Sequence, residues 1–183
     1  MILKNGLLTG AIALLWLIFY SANHELFKFA EISSWISLIF IPSGFKIAAV
    51  AIFRSRALLG LFIGSLMTGF FFLNDFLFVD LAVFSLFSST LPYVALKITE
   101  MFFFIKPCLS NLSLRHVLSL GVIYGLLNGM FHVGYRYHAL FIRDVHKLHE
   151  FLSMMVGDIL GILIFMYLVS RLTRYAYATA KKT

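Results

Sequence analysis

The chain reads as an all-α polytopic membrane bundle of about six transmembrane helices, a single integral membrane domain over residues 1–183 with both termini cytoplasmic. Three observations predict it. Apolar residues make up 61% of the 183 residues and charged residues only 13%, where a water-soluble domain carries about 45–50% and about 25%. The mean hydropathy is +0.95. The apolar residues fall in runs of helical-span length separated by short polar segments, and at ~20 residues per span the length accommodates six crossings.

The first span runs from about Gly6 to Ala22; with no small-x-small cleavage pattern before polar sequence, it reads as a retained helix. The second, about Ile32 to Phe53, and the third, Ala57 to Leu73, are separated by Arg54-Ser55-Arg56, a tight hairpin with a basic tip. The fourth covers about Phe78 to Leu96, the fifth Val117 to Tyr137 and the sixth Phe151 to Leu168. Between the fourth and fifth, Met101 to Arg115 holds Lys106, Pro107 and Asn111 and reads as interfacial or as an extension of the fourth helix.

Charge orients the set. Lys4, Arg54, Arg56, Lys97, Lys106, Arg115, Arg171, Arg174, Lys181 and Lys182 fall on one side and Lys28, Arg136, Arg143 and Lys147 on the other, ten against four. The basic excess marks the cytoplasmic face of a bacterial inner membrane, crossed several times. The net charge of +7 is thereby explained by helix ends, and a nucleic-acid partner is not expected. One cysteine, Cys108, excludes an internal disulfide framework and any Cys-x-x-Cys motif.

Four groups interrupt the apolar runs: Lys46, Asn128, His132 and Asp158. A charge near the bilayer centre costs at least ~2.5–3.5 kcal/mol on insertion scales, so these residues are expected to face the bundle interior. Lys46 follows Pro42-Ser43-Gly44, where proline and glycine should kink or break the second helix. A break would leave a helix amino end, with its free N–H groups and positive dipole, inside the bundle. That makes the Ser43-Gly44 backbone and Lys46 candidate anion contacts. A structural kink with Lys46 neutralised by an acid is the competing reading.

On the fifth helix Asn128, His132 and Arg136 recur every four residues and share a face, while Gly121, Gly125 and Gly129 line another in the close-packing small-xxx-small pattern. The glycine face is expected to meet a neighbouring helix or, in an oligomer, a second chain. Asp158 lies about two turns inside the sixth span, roughly 10–12 Å from its end. This depth calls for a partner, with Lys46 first by charge and Asn128, His132 and Arg136 as alternatives. The outer-loop His138, His146 and His149, with Asp144 and Glu150, are donor types suited to a divalent cation, yet their spacing matches no zinc signature. No metal or cofactor is assigned.

Two stretches and a third carry a resemblance. Pro42-x-Gly44 in Phe40–Ala49, the Gly60-x-x-x-Gly64 helix after Arg56, and Gly157-Asp158-x-x-Gly161 together resemble the bacterial membrane-associated sensor domains found ahead of histidine kinases and diguanylate cyclases. This chain resembles a stand-alone, shortened form, with fewer spans than is usual there and no fused output domain. The resemblance implies a helical bundle whose polar centre is built by the Pro-Gly break and the Gly-Asp helix, sensing a small ligand or relaying to a partner.

The expected function is thus sensor-like: recognition of a small, anionic molecule by Ser43, Gly44, Lys46, Asn128, His132 and Arg136, with Asp158 positioning Lys46. The alternatives are the substrate-binding component of a transporter, such as the small six-helix subunit of energy-coupling-factor importers, and an accessory subunit of a larger membrane complex. No nucleophile elbow, phosphate loop or membrane-protease signature occurs, so an enzyme is not expected.

Overall fold

The computed structural model describes residues 2–33, 36–72, 76–103, 113–138 and 147–180. Lys106, Pro107, Cys108, Asn111, Asp144, His146, Lys181 and Lys182 lie outside them, and so do the middle of the expected interfacial stretch and most of the histidine loop. Among the described residues the chain is helical except around one short hairpin. The helices are α1 (Ile2–Leu26), α2 (Pro42–Phe53), α3 (Ala57–Phe72), α4 (Phe78–Phe103), α5 (Leu114–His138) and α6 (Lys147–Ala180). Five helical stretches are long and apolar enough to cross a membrane, and Pro42–Phe72, which contains α2 and α3, is one of them.

That stretch doubles back at a 3-10 turn, Arg54–Arg56, where Arg54 takes φ 57° in the left-handed region. Two hydrogen bonds prove the reversal. Lys46 Nζ on α2 donates to Ser88 Oγ at 2.6 Å, and Ser65 Oγ on α3 lies 3.1 Å from the same hydroxyl. Nineteen residues of straight helix would hold positions 46 and 65 roughly 28 Å apart.

Glycines set the closest helix contacts. A Cβ on Gly60 or Gly64 would overlap Ile12 or Trp16 of α1, and one on Gly125 or Gly129 would press on Met155 or Phe151 of α6. The α5 glycine face is therefore used within the chain, which removes it from the oligomer contact the sequence suggested. The contacts make α1 and α3 parallel to each other, and α5 antiparallel to α6. Successive helices alternate in direction, so α1 begins at the end of the bundle where α6 finishes. Large apolar side chains such as Leu14, Ile18, Phe71, Leu86 and Met130 point outward, the surface a lipid-embedded bundle presents.

The second expected span differs from a full helix. Residues Glu31–Ser33 (β1) and Ile36–Ser37 (β2) pair antiparallel, and the chain continues without regular structure, through a bend at Leu38 and a turn at Ile41, until Pro42. α2 is 12 residues long, about 18 Å, roughly three-fifths of a ~30 Å hydrocarbon core. Extended backbone inside a bundle must find partners for every N–H. Here Leu38 N–H bonds Ala30 O at 2.9 Å and Phe40 N–H bonds Gly157 O at 3.2 Å. Ile39 N–H donates to Ser37 Oγ at 3.3 Å, and Ile41 N–H donates to Asn23 Oδ1 at 3.0 Å. Asn23 also donates through Nδ2 to Ile39 O at 3.2 Å.

Asn23 thus clamps both sides of the segment from α1. Asn23→Ala is expected to destabilise the fold by about 2–4 kcal/mol, because it orphans a buried N–H and weakens the pairing of a carbonyl. Faster amide exchange confined to residues 38–41 would register it, and unchanged protection there would show that the clamp carries no stability.

Candidate functional site

Pro42 starts α2 where a proline loses nothing, since the first helical N–H has no intrahelical acceptor. The next two amides are already spent: Ser43 N–H bonds Phe40 O at 3.1 Å and Gly44 N–H bonds Ile41 O at 2.9 Å. The half-helix amino end inside the bundle is therefore closed by its own turn, so the Ser43-Gly44 backbone is not free for the anion contact read from the sequence. Gly44 is a packing residue, its α-carbon so close to Phe165 that a Cβ would overlap that side chain.

One helical turn of α2 then divides two tasks. Ser43 donates its hydroxyl to Asp158 Oδ1, and Asn128 Nδ2 donates to Asp158 Oδ2 at 2.8 Å. Lys46, three residues on and on the same face, donates to Ser88 Oγ at 2.6 Å and Tyr124 OH at 3.3 Å. Its ammonium also lies 4.5 Å from the Trp16 ring centroid, a cation–π arrangement. Lys46 is 3% exposed, and Asn128 and Asp158 are each 1% exposed.

Lys46 is the first partner the sequence suggests for Asp158, with Asn128, His132 and Arg136 as alternatives; the hydrogen bonds go to Asn128, one of those alternatives, and to Ser43, which is not among them. No ion pair joins Lys46 to any carboxylate within 4 Å among the described residues. The reason is geometric: the broken helix brings Ser43, not Lys46, to the first turn facing α6. Asp158 accordingly does not position Lys46 by direct contact.

A cavity of about 80 Å³ lies between α1, the extended segment and α2 to α6, with Lys46, Asn128, His132 and Asp158 in its wall. Ser43 stands behind Asp158, and Ser43, Gly44 and Arg136 are not among the lining residues. Arg136 instead pairs with Glu150 at 2.9 Å, one turn beyond His132. The His132 ring stacks on Phe84, centroids 5.2 Å apart. At about 10–15 Å³ per water-sized site, the cavity holds roughly half a dozen heavy atoms.

Several lining residues were not singled out from the sequence: Trp16, Tyr20 and Phe40 on one side, and Ser65, Thr68, Ser85 and Ser88 on the other. Hydroxyls in apolar helices carry little signal singly, because serine can bond its own helix. Their spacing was the available clue. Ser65 and Thr68, and likewise Ser85 and Ser88, are three apart and share a face. Pro92 lies one turn after Ser88 inside α4, so the Ser88 carbonyl lacks its helical donor in the same turn that meets Lys46.

Bonds from this centre reach every helix: Asp158 links α6 to α2 and α5, Lys46 links α2 to α4 and α5, and Ser88 links α4 to α3. Trp16 Nε1 donates to Thr68 Oγ1 at 3.4 Å and so brings in α1. Asn128 Oδ1 is buried with no donor among the described residues. Among the described residues no three His, Cys, Asp or Glu side chains come together as a metal site.

No family model, curated protein or solved structure matches this chain.

Proposed function

We propose that the chain is a sensor-like integral protein of the bacterial inner membrane, crossing it six times with both termini cytoplasmic, and that it recognises a small molecule bearing an anionic group in the central cavity. The alternating helix directions and the ten-to-four basic asymmetry support the topology. The observation that carries the function is Lys46: a buried ammonium on a cavity wall with neutral hydroxyls and a ring face as its neighbours. Burying an ion away from water is costly unless a counter-charge completes its shell, and an anionic group in the cavity supplies one.

Native mass spectrometry of the protein extracted in mild detergent from its own membrane tests the reading. Wild type is expected to retain a small molecule that Lys46→Met loses. A second reading, an accessory subunit of a larger complex, is favoured by the end of α6, where Leu172, Tyr175 and Tyr177 are 67%, 76% and 75% exposed. A tightly held protein partner with no small molecule would favour that reading and overturn the first.

A further inference from the structure

The cavity has two opposite charges in its wall that do not neutralise each other by contact. Lys46 is met by Ser88, Tyr124 and the Trp16 face, none of them anionic. Asp158 is met by Ser43 and Asn128, neither of them cationic. Neutral dipoles hold each charge, and both residues border the same space.

The electrostatics of such a space select against a simple ion. A plain carboxylate drawn to Lys46 would be repelled by Asp158, and a plain amine drawn to Asp158 would be repelled by Lys46; low dielectric magnifies both terms. A molecule with both charges answers both walls at once. On Asp158 the carboxylate has lone pairs left after accepting two hydrogen bonds, because two carboxylate oxygens offer about four acceptor sites. Beside it Asn128 has an amide oxygen that no donor among the described residues reaches. The wall around Asp158 is thus short of donors, which a primary ammonium supplies in threes.

Resting on the binding reading above, we infer that the ligand is a small zwitterion of α-amino acid size, its carboxylate directed to Lys46 and its primary ammonium to Asp158. The volume of about 80 Å³ suits roughly half a dozen heavy atoms, the scale of glycine or alanine. Trp16, Tyr20, Phe40 and Phe84 border the remaining space and would take a short apolar side chain.

The test compares three near-isosteres on the full-length wild-type protein in detergent: alanine, propionate, which lacks the ammonium, and ethylamine, which lacks the carboxylate. Alanine is expected to raise the thermal midpoint, with at least tenfold weaker apparent affinity for the other two, and Lys46→Met and Asp158→Asn should each abolish its effect. Propionate binding as tightly as alanine would overturn the zwitterion while leaving the anion-binding reading intact. Ethylamine binding alone would overturn both. No shift with any of the three would overturn a free zwitterion of α-amino acid size, and the retained-ligand measurement would then judge the anion reading by itself.

The same paired chemistry exists on an ethanolamine lipid headgroup. Stabilisation in nanodiscs containing phosphatidylethanolamine, absent in pure phosphatidylglycerol and lost in both variants, would support the charge pairing with a lipid as its source. The wild-type comparisons decide the matter even where a variant does not fold.

Discussion

Gly161→Ala is expected to lower stability by about 3 kcal/mol, near the top of the range for overpacking, and Gly161→Leu to prevent folding. A Cβ on Gly161 would overlap the carbonyl oxygen of Phe40, and one on Gly157 would overlap that of Ser37. Both obstacles are backbone, so no rotamer change relieves them. Moving the extended segment away would also break the Phe40 N–H bond to Gly157 O and the two bonds to Asn23. It would carry Ser43 off Asp158, which lies between the two glycines. Gly134, with open space around its α-carbon, is the control, and Gly134→Ala should be neutral or slightly stabilising. Unfolding of the detergent-solubilised variants, followed by circular dichroism, measures the difference. A Gly161→Ala protein with wild-type stability would show that the segment does not depend on the α6 groove.

The Gly157-Asp158-x-x-Gly161 sequence is therefore one device: the glycines admit the non-helical segment that ends at Ile41 and the aspartate receives the first turn of the helix that follows it. Half of this was legible. Polar residues isolated in greasy runs pointed inward correctly for Lys46, Asn128, His132 and Asp158, because no lipid-facing position satisfies them. The break at Pro42 was legible from proline chemistry. The extended course before it was not, because Trp35-Ile-Ser-Leu-Ile-Phe-Ile is apolar enough to extend a helix, and short apolar runs do not separate helix from strand by periodicity. What decides the course of residues 36–41 lies elsewhere in the chain, in the α6 glycines about 120 residues later and in Asn23 on the preceding helix. A similar distance in sequence explains why Ser43 is not among the partners the sequence suggests for Asp158, whereas Asn128 is. Charge alone nominates Lys46, whereas the register of α2 against α6, fixed by Gly44 meeting Phe165 and Gly161, brings Ser43 there instead.

Removing both charges from the cavity is expected to cost less than the sum of removing each. Asp158→Asn keeps the shape and one acceptor for Ser43 or Asn128 but leaves Lys46 buried without any counter-charge. Lys46→Met leaves Asp158 in the same position. Each single change should destabilise by about 2–4 kcal/mol, somewhat under the loss seen when a buried contact pair is broken, because neutral dipoles already hold each ion. Beyond 4 Å, at an effective dielectric near 20, the attraction between the two is below about 4 kcal/mol, so a coupling of about 1–2 kcal/mol is the expected size. Equilibrium unfolding of the two single variants and the double variant in mixed micelles yields it as the departure from additivity. Additivity within about 0.5 kcal/mol would mean that each charge is sufficiently solvated by its own neighbours. The cavity would then have no shared field, and a ligand with two opposite charges would gain nothing over one with a single charge. Coupling of the expected size instead makes Lys46 and Asp158 two ends of one electrostatic feature, which a ligand with paired charges can occupy without leaving either end alone.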